Sequence, residues 1–337
     1  MVNEAQSRAE AFEQFLQSKS GPKEKKTPVR RMDDEGAVSN ELAIPTGITS
    51  LDYALGVGGL PRGRIAEFYG PEGGGKTSLA LSVCGQAQQA GGYAGVVDME
   101  HAITTAQAEF MGMDLSKAAL AQPDSGEDAL RTAAEMVESG GFDVVVIDSV
   151  AALVPEKELE GDITDESVGL MARMMGKGLR RLSPAASRVG TPVIFINQLR
   201  EKMVQYGNPE TTPGGRALKF YSSVRIEVRS RSSDRIEDPS TKEPIGQTTR
   251  VKVVKNKVGP PHREAMFDLY YGKGVDQESA LFDTLKRTGL ITSQGNTYYD
   301  MEGHRLGVGQ KKTIEALRED PELAQRLRKE LDEQLRR

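Results

Sequence analysis

Gly70-Pro71-Glu72-Gly73-Gly74-Gly75-Lys76-Thr77 satisfies the pattern G-x-x-x-x-G-K-[ST] at every fixed position, and it constrains the fold more than any other stretch of this chain. Such a loop works between a strand and a helix. Its glycines let consecutive N–H groups turn toward phosphate oxygens, its lysine adds a point charge, and its last hydroxyl is a ligand for Mg²⁺. Residues 64–69 read as a short buried strand and residues 77–90 as a helix whose positive end faces the phosphates, with Ser78 just inside it. An ordinary strand-to-helix turn is the alternative, but Lys-Thr at this offset argues against it. The expected ligand is a nucleoside triphosphate.

The rest of the chain supports an α/β reading, a mostly parallel sheet with helices on its faces. Residues 93–98, 142–149 and 191–198 are short apolar runs rich in Val and Ile, as strands buried on both faces should be. Ser125 is a fitting N-cap for a helix that Gly140-Gly141 ends. Residues 221–229, 247–256 and 264–271 alternate polar and apolar and are separated by the polar loop 230–246, which predicts antiparallel strands added at one side of the sheet. Helices over 279–288 and 311–335, around a strand at 296–299, suggest a small closing α/β domain. The expected division is an N-terminal helix and tether over 1–38, an ATPase-type core over 39–275 and a C-terminal domain over 276–337.

Residues 5–17 place Ala9, Phe12, Phe15 and Leu16 on one helical face, ahead of a Lys-, Arg- and Pro-rich tether at 19–31. A lone helix of this length is marginal in water. Its stripe therefore either docks on a partner surface or packs on its own domain.

Composition excludes several classes. Lys+Arg total 44 against 49 Asp+Glu, a formal net charge of −5, so any nucleic-acid site must be a local basic surface. The single cysteine, Cys84, forms no internal disulfide and lies on an apolar helical run, where a small core residue is expected. His101, His262 and His304 are scattered and make no metal-ligand spacing. The polar start and the lack of a run of ~18 apolar residues predict a cytoplasmic protein.

Further acids and amides fall at strand ends. Asp148 closes the apolar strand 142–149, where a phosphate-loop enzyme holds the carboxylate that orients Mg²⁺. Glu100 follows Asp98 beyond another strand, and reads either as the group that aligns water with the γ-phosphate or as a surface acid. Asn197 and Gln198 lead into 199–216, which carries Arg200, Lys202, Tyr206, Gly207, Gly214, Gly215 and Arg216. This is either a nucleic-acid-contacting switch or a long polar loop. Met171, Met174 and Met175 fall at helical spacing and read as core, with Arg173, Lys177 and Arg180 on the opposite face. That face either tracks a phosphate backbone or is simply solvated. Lys252, Lys255 and Lys257 end a strand without stating what they touch.

Taken in order, the loop from Gly70 to Thr77, Asp98-Met99-Glu100-His101-Ala102, the run from Val146 to Leu153, Asn197-Gln198-Leu199-Arg200, Gly207-Asn208-Pro209-Glu210-Thr211-Thr212, and residues 250–257 resemble the bacterial RecA recombinases, from about residue 46 to the end. The resemblance implies a RecA-type phosphate-loop core and a recombinase that uses ATP and Mg²⁺, forms a homo-oligomeric helical filament on single-stranded DNA, and exchanges strands with a homologous duplex in repair and the SOS response. It gives Lys76 and Thr77 phosphate and Mg²⁺ contacts, Asp148 the metal, Glu100 the attacking water, and Gln198 the γ-phosphate. A second DNA-binding loop is implied over 199–214, with Arg200, Lys202, Met203, Tyr206, Gly207, Asn208, Gly214 and Gly215. A first is implied over 160–169, with Arg173, Gly176 and Arg180 beside it. Lys255 and Lys257 resemble paired lysines that reach the neighbouring subunit's ATP. Phe220 resembles an interface residue, and the helix bearing Phe12 and Leu16 resembles a subunit-docking arm. A LexA-like repressor is an implied candidate partner.

The chain departs from the pattern in places. Gly73-Gly74 stands where two serines are usual. Thr104 and Gln107 replace an acid and a tyrosine around adenine, leaving Tyr271 and Gly272 as candidate contacts. The second loop is one residue shorter, with Tyr206 in place of a phenylalanine, and the acidic tail is missing. These departures suit a phage-encoded or divergent member. The alternatives are a ring helicase or motor on the same core, and a filament that sheathes DNA without exchanging strands.

Overall fold

The computed structural model describes residues 11–14, 43–161, 169–201 and 210–335. Residues 11–14 form one helical turn with Phe12 half exposed; the rest of the expected arm, including Leu16, lies outside the described residues. Residues 43–337 form one compact unit.

The unit is organised by a sheet of ten strands among the described residues. In chain order its elements are β1 (Ile65–Gly70), α1 (Lys76–Gln89), β2 (Ala94–Asp98), α2 (Thr105–Phe110), β3 (Ala118–Ala121), α3 (Gly126–Ser139), β4 (Val144–Asp148), α4 (Leu170–Val189), β5 (Val193–Gln198), β6 (Val224–Arg229), β7 (Arg235–Glu237), β8 (Pro244–Asn256), β9 (Glu264–Tyr270) and β10 (Gly274–Val275). Across the sheet the order is β10-β9-β8-β6-β1-β5-β4-β2-β3, with β7 paired to β8. From β6 to β3 all pairs are parallel, so the C-terminal ends of β1, β5, β4 and β2 share one edge.

The continuous apolar runs follow from coverage on both faces. Along β4, Val144 and Val146 enter one core while Val145 and Ile147 enter the other, and β5 divides Ile194 and Ile196 from Val193 and Phe195 in the same way. Successive side chains point to opposite faces, so a run covered on both must be mainly apolar. The first core includes Leu79, Val83 and Cys84 of α1, and the second Leu130, Leu179 and Leu182 of α3 and α4. Each such leucine or valine contributes about 1.5–3 kcal/mol when buried. Met174 and Met175 are buried in the second core, while Arg173, Lys177 and Arg180 are exposed. Ser125 caps α3 by accepting the Asp128 N–H at 3.2 Å, and Gly140 ends it at φ 71°.

Three expectations are corrected. β6 is antiparallel to β8 but parallel to β1, so its alternation reports one covered face and not strand direction. The polar stretch 230–246 is not all loop, for β7 folds back onto β8 in register Arg235 with Gln247. Residues 311–335 are two helices, α6 (Gly309–Glu319) and α7 (Pro321–Leu335), because Pro321 cannot continue the first and Asp320 caps the second through the Leu323 N–H. The strand at 296–299 is the centre of a three-stranded sheet, β11 (Ile291–Gln294), β12 (Thr297–Asp300) and β13 (Arg305–Val308). With α5 (Gln277–Thr288) these elements enclose a separate core around Leu281, Phe282, Ile314 and Leu327.

Candidate nucleotide and nucleic-acid site

β1 ends in the glycine loop, and the loop is shaped by what lies beside it. A Cβ on Gly70 would sit 1.9 Å from the Val228 carbonyl of β6, and one on Gly74 would sit 3.0 Å from the same oxygen. These glycines allow β1 and its loop to lie against a neighbouring backbone. Gly73 and Gly75 have φ of 70° and 92°, the region glycine adopts without strain. The unusual pair therefore divides its work, with Gly74 packed against β6 and Gly73 facing open space.

Lys76 and Thr77 start α1 and point to the shared edge. The Lys76 ammonium donates to the Pro71 carbonyl at 2.6 Å, and burial holds its pKa below the ordinary value against the pull of Asp148, Glu100 and Glu72. The Thr77 hydroxyl donates to Asp148 Oδ2 at 2.7 Å. Burial pushes Asp148 up to about 6; the Thr77 bond opposes this, while the charges of Glu100 and Asp98 add to it. A hydroxyl and a carboxylate at this spacing are the hard oxygen donors that suit Mg²⁺.

Glu100 is exposed but not isolated. Its Oε1 accepts from Gln198 Nε2 at 2.9 Å and from the Ser149 hydroxyl, next to Asp148. Its loop is held by Asp98, a fully buried acid whose carboxylate accepts the N–H groups of Glu100, Ala102 and Ile103 at 3.2–3.5 Å. Glu100, Asp148, Gln198 and residues of the phosphate loop line one cavity of about 630 Å³.

On its far side the cavity meets β8 and β9. Gln247 Nε2 donates to the Gly73 carbonyl at 2.9 Å, and Tyr271 Oη donates to Gln247 Oε1 at 3.3 Å. Tyr271 and Gln107 both line the cavity, whereas Gly272 does not. Thr104 is committed to capping α2, where it accepts the Gln107 N–H at 3.1 Å. Gln247 was missed from sequence, although a glutamine on the buried phase of β8, ahead of Thr249, Val251 and Val253, is a readable signal.

A second missed group joins the sheet to the loop after β5. Glu67, fully buried in β1, accepts from Arg225 Nε at 2.5 Å and Asn197 Nδ2 at 3.0 Å. Asn197 also donates to the Pro213 carbonyl at 3.2 Å and accepts the Gln198 N–H at 3.0 Å. Both ends of the second loop are thereby tied to the strand that carries the phosphate loop. An acid inside an otherwise apolar strand was the signal.

Arg200 stands at the root of that loop, in a two-residue pairing with Glu210–Thr211. Lys202, Met203, Tyr206, Gly207 and Asn208, like most of the first loop, lie outside the described residues. Gly214 and Gly215, at φ 87° and 75°, leave no room for a Cβ beside Val150 and Ala172. Arg173 and Arg180 are exposed on α4, and Gly176 between them is open to space.

Lys255 and Lys257 do not line the cavity. The Lys255 ammonium donates to the carbonyls of Lys219 and Phe220 at 2.6 and 3.3 Å, and burial lowers its pKa. Phe220 is 70% exposed, an unusual position for a phenylalanine.

A family model described as the RecA N-terminal domain matches residues 23–276. Among similar curated proteins, "Protein RecA" of Rubrobacter xylanophilus is 49% identical over 311 residues, spanning 92% of this chain and 89% of its own length. The protein of that name from Symbiobacterium thermophilum is 49% identical over 92% of this chain and 88% of its own length. Its counterpart from Thermus aquaticus is 50% identical over 85% and 83%. Among solved structures, the RadB recombinase aligns with a TM-score of 0.51 at 22% identity, covering 69% of this chain and 98% of that one, a likeness of fold.

Proposed function

Because this chain belongs to the RecA family, and is a DNA-dependent ATPase that exchanges DNA strands in recombination and repair, we propose that its nucleotide is ATP accompanied by Mg²⁺ and that the cavity is the hydrolytic site. The observation that carries this reading is the shared hold on Glu100 by Gln198 and Ser149, at the mouth of the phosphate loop. The backbone N–H groups from Gly73 to Ser78 and the Lys76 ammonium receive the phosphates. Thr77 and Asp148 are the residues that would hold Mg²⁺, which supplies charge neutralisation at the phosphate oxygens.

Glu100 orients the attacking water in line with the γ-phosphate, and its carboxylate is the acceptor for a proton from that water. Gln198 shares its amide with Glu100, so a γ-phosphate that competes for this amide changes the root of the second loop. Asn197 and Glu67 keep the rest of the root fixed, which makes Gln198 the group that moves. Bound triphosphate is in this way coupled to the loop that carries Arg200, Lys202 and Tyr206 to DNA. Arg173, Gly176 and Arg180 border the first loop and contribute to the same DNA path.

The protein binds DNA and forms filaments. In the filament, Phe220 and the arm residues Phe12 and Leu16 meet a neighbouring subunit, and Lys255 and Lys257 approach that neighbour's ATP, away from their own cavity. Tyr271, with Gln107 in place of the usual tyrosine, covers the base. The arm is assigned to residues 1–38, the core to 39–275, and the small domain with its own apolar cluster to 276–337. A cytoplasmic location and a LexA-like repressor as a regulatory partner complete the reading. No helix among the described residues is long and apolar enough to cross a membrane.

Strand exchange between a single strand and either a homologous or a heterologous duplex, with and without ATP, tests the proposal. Joint molecules are expected only with homology and ATP. Hydrolysis without joint molecules would reduce the protein to a DNA-sheathing ATPase.

A further inference from the structure

The sheet order places different chemistry on the two sides of the phosphate loop. Toward β5, β4 and β2 lie Gln198, Asp148 and Glu100. Toward β6 and β8 lies the stretch 230–237, from which Arg231 and Arg235 line the same cavity as Lys76 and Thr77. Other arginines nearby hold carboxylates: Arg225 bonds Glu67, Arg229 bonds Glu227 and Glu210, and Arg250 bonds Asp234. Of these five arginines only Arg231 and Arg235 have a guanidinium without a carboxylate partner among the described residues. Asp234, the acid nearest to both in sequence, is held by Arg250 and by the backbone N–H of Arg231.

The stretch is also tied to the loop it faces. Arg235 is the register partner of Gln247, whose amide donates to the Gly73 carbonyl at 2.9 Å. The guanidinium-bearing strand is thus one pairing away from the phosphate loop. Without the two arginines, the cavity's acidic and basic walls would be Glu72, Glu100 and Asp148 against Lys76 alone, a poor setting for a polyanion. Guanidinium adds a planar fork that matches phosphate oxygens.

We propose that Arg231 and Arg235 bind the phosphates of the nucleotide held by their own subunit, closing the site on the side opposite Glu100. This rests on the triphosphate reading of the cavity, and it assigns to the β6–β8 connection a role in holding substrate.

The test compares the full-length protein with R231A/R235A, R231K/R235K and K76A. A fluorescent ATP analogue with Mg²⁺ is titrated in the absence of DNA, over a series of salt concentrations, beside thermal melts. The alanine pair is expected to bind roughly 10–100-fold more weakly, with a shallower salt dependence and an unchanged melting temperature, since both side chains are exposed. The lysine pair keeps the charges without the fork and is expected to fall between. Equal affinity of wild type and R231A/R235A, with K76A impaired, overturns this inference alone. A wild type that binds no analogue removes the triphosphate reading and this inference together. A loss that appears equally in the lysine pair with lowered melting temperatures assigns the arginines to folding and overturns it as well.

Discussion

At the scale of the residue, Glu100 carries the most chemistry, because one carboxylate oxygen answers to both Gln198 and Ser149. Glu100→Gln keeps the shape and an oxygen for Gln198 but loses the charge to which the proposed function gives the orientation of water. DNA-stimulated ATP hydrolysis is expected to fall by about 10²–10⁴-fold while ATP-dependent DNA binding persists. Unchanged turnover in a steady-state assay would exclude Glu100 from that role. Cys84 shows the opposite case, a reactive group made inert by position. It is fully buried, and burial pushes its thiol up to about 12. A maleimide at pH 8 is therefore expected to label the native protein negligibly and the urea-unfolded protein completely, because the thiolate is scarce and the path is closed. Rapid labelling of the native state would show that α1 separates from the sheet.

At the scale of the element, the contact between β1 and β6 sets the phosphate loop in place. Gly70 belongs to the motif, yet its steric reason lies in the Val228 carbonyl 1.9 Å from where a Cβ would stand. Gly70→Ala must push two paired backbones apart and is expected to cost about 1–3 kcal/mol or more, along with nucleotide affinity. Denaturant midpoints and analogue binding measure the two effects; a variant matching wild type in both would mean the strands separate freely. The glycine itself was plain in the sequence, but β6 as its neighbour was not. Alternation of Val224, Ile226 and Val228 with Arg225, Glu227 and Arg229 reveals one covered face, and nothing in it records strand direction. The break at Asp320 was available in Pro321, and continuous helical periodicity on both sides hid it.

At the scale of the whole molecule, the question is assembly. Phe220 is 70% exposed at the end of a short helix, and the Lys255 ammonium is seated on that helix's last carbonyls. Phe220→Ala is expected to leave the melting temperature of the isolated protein nearly unchanged, a surface effect within about 0.5 kcal/mol. Filament formation on single-stranded DNA, followed by sedimentation, is expected to fail. Retained sedimentation would place the subunit interface elsewhere. The closing region has an independent core of Leu281, Phe282, Ile314 and Leu327. Its helix and central strand were legible, but its three-stranded sheet was not, since four-residue strands with exposed polar faces carry little periodic signal.

By itself the sequence determined the phosphate loop, the strand-ending acid at Asp148, the parallel α/β core and, through the order of its motifs, the family. Those features are local: a glycine spacing or an apolar run states what a few consecutive residues can do. Tertiary structure decided which groups meet. Gln198 reaches Glu100 across 98 residues and Asn197 reaches Glu67 across 130, because β1, β5, β4 and β2 end at one edge of a sheet whose order differs from chain order. The same order brought Ser230, Arg231 and Arg235 of the expected polar loop 230–246 to the wall of the nucleotide cavity, since hydrogen bonding between distant strands leaves no spacing to read in either one.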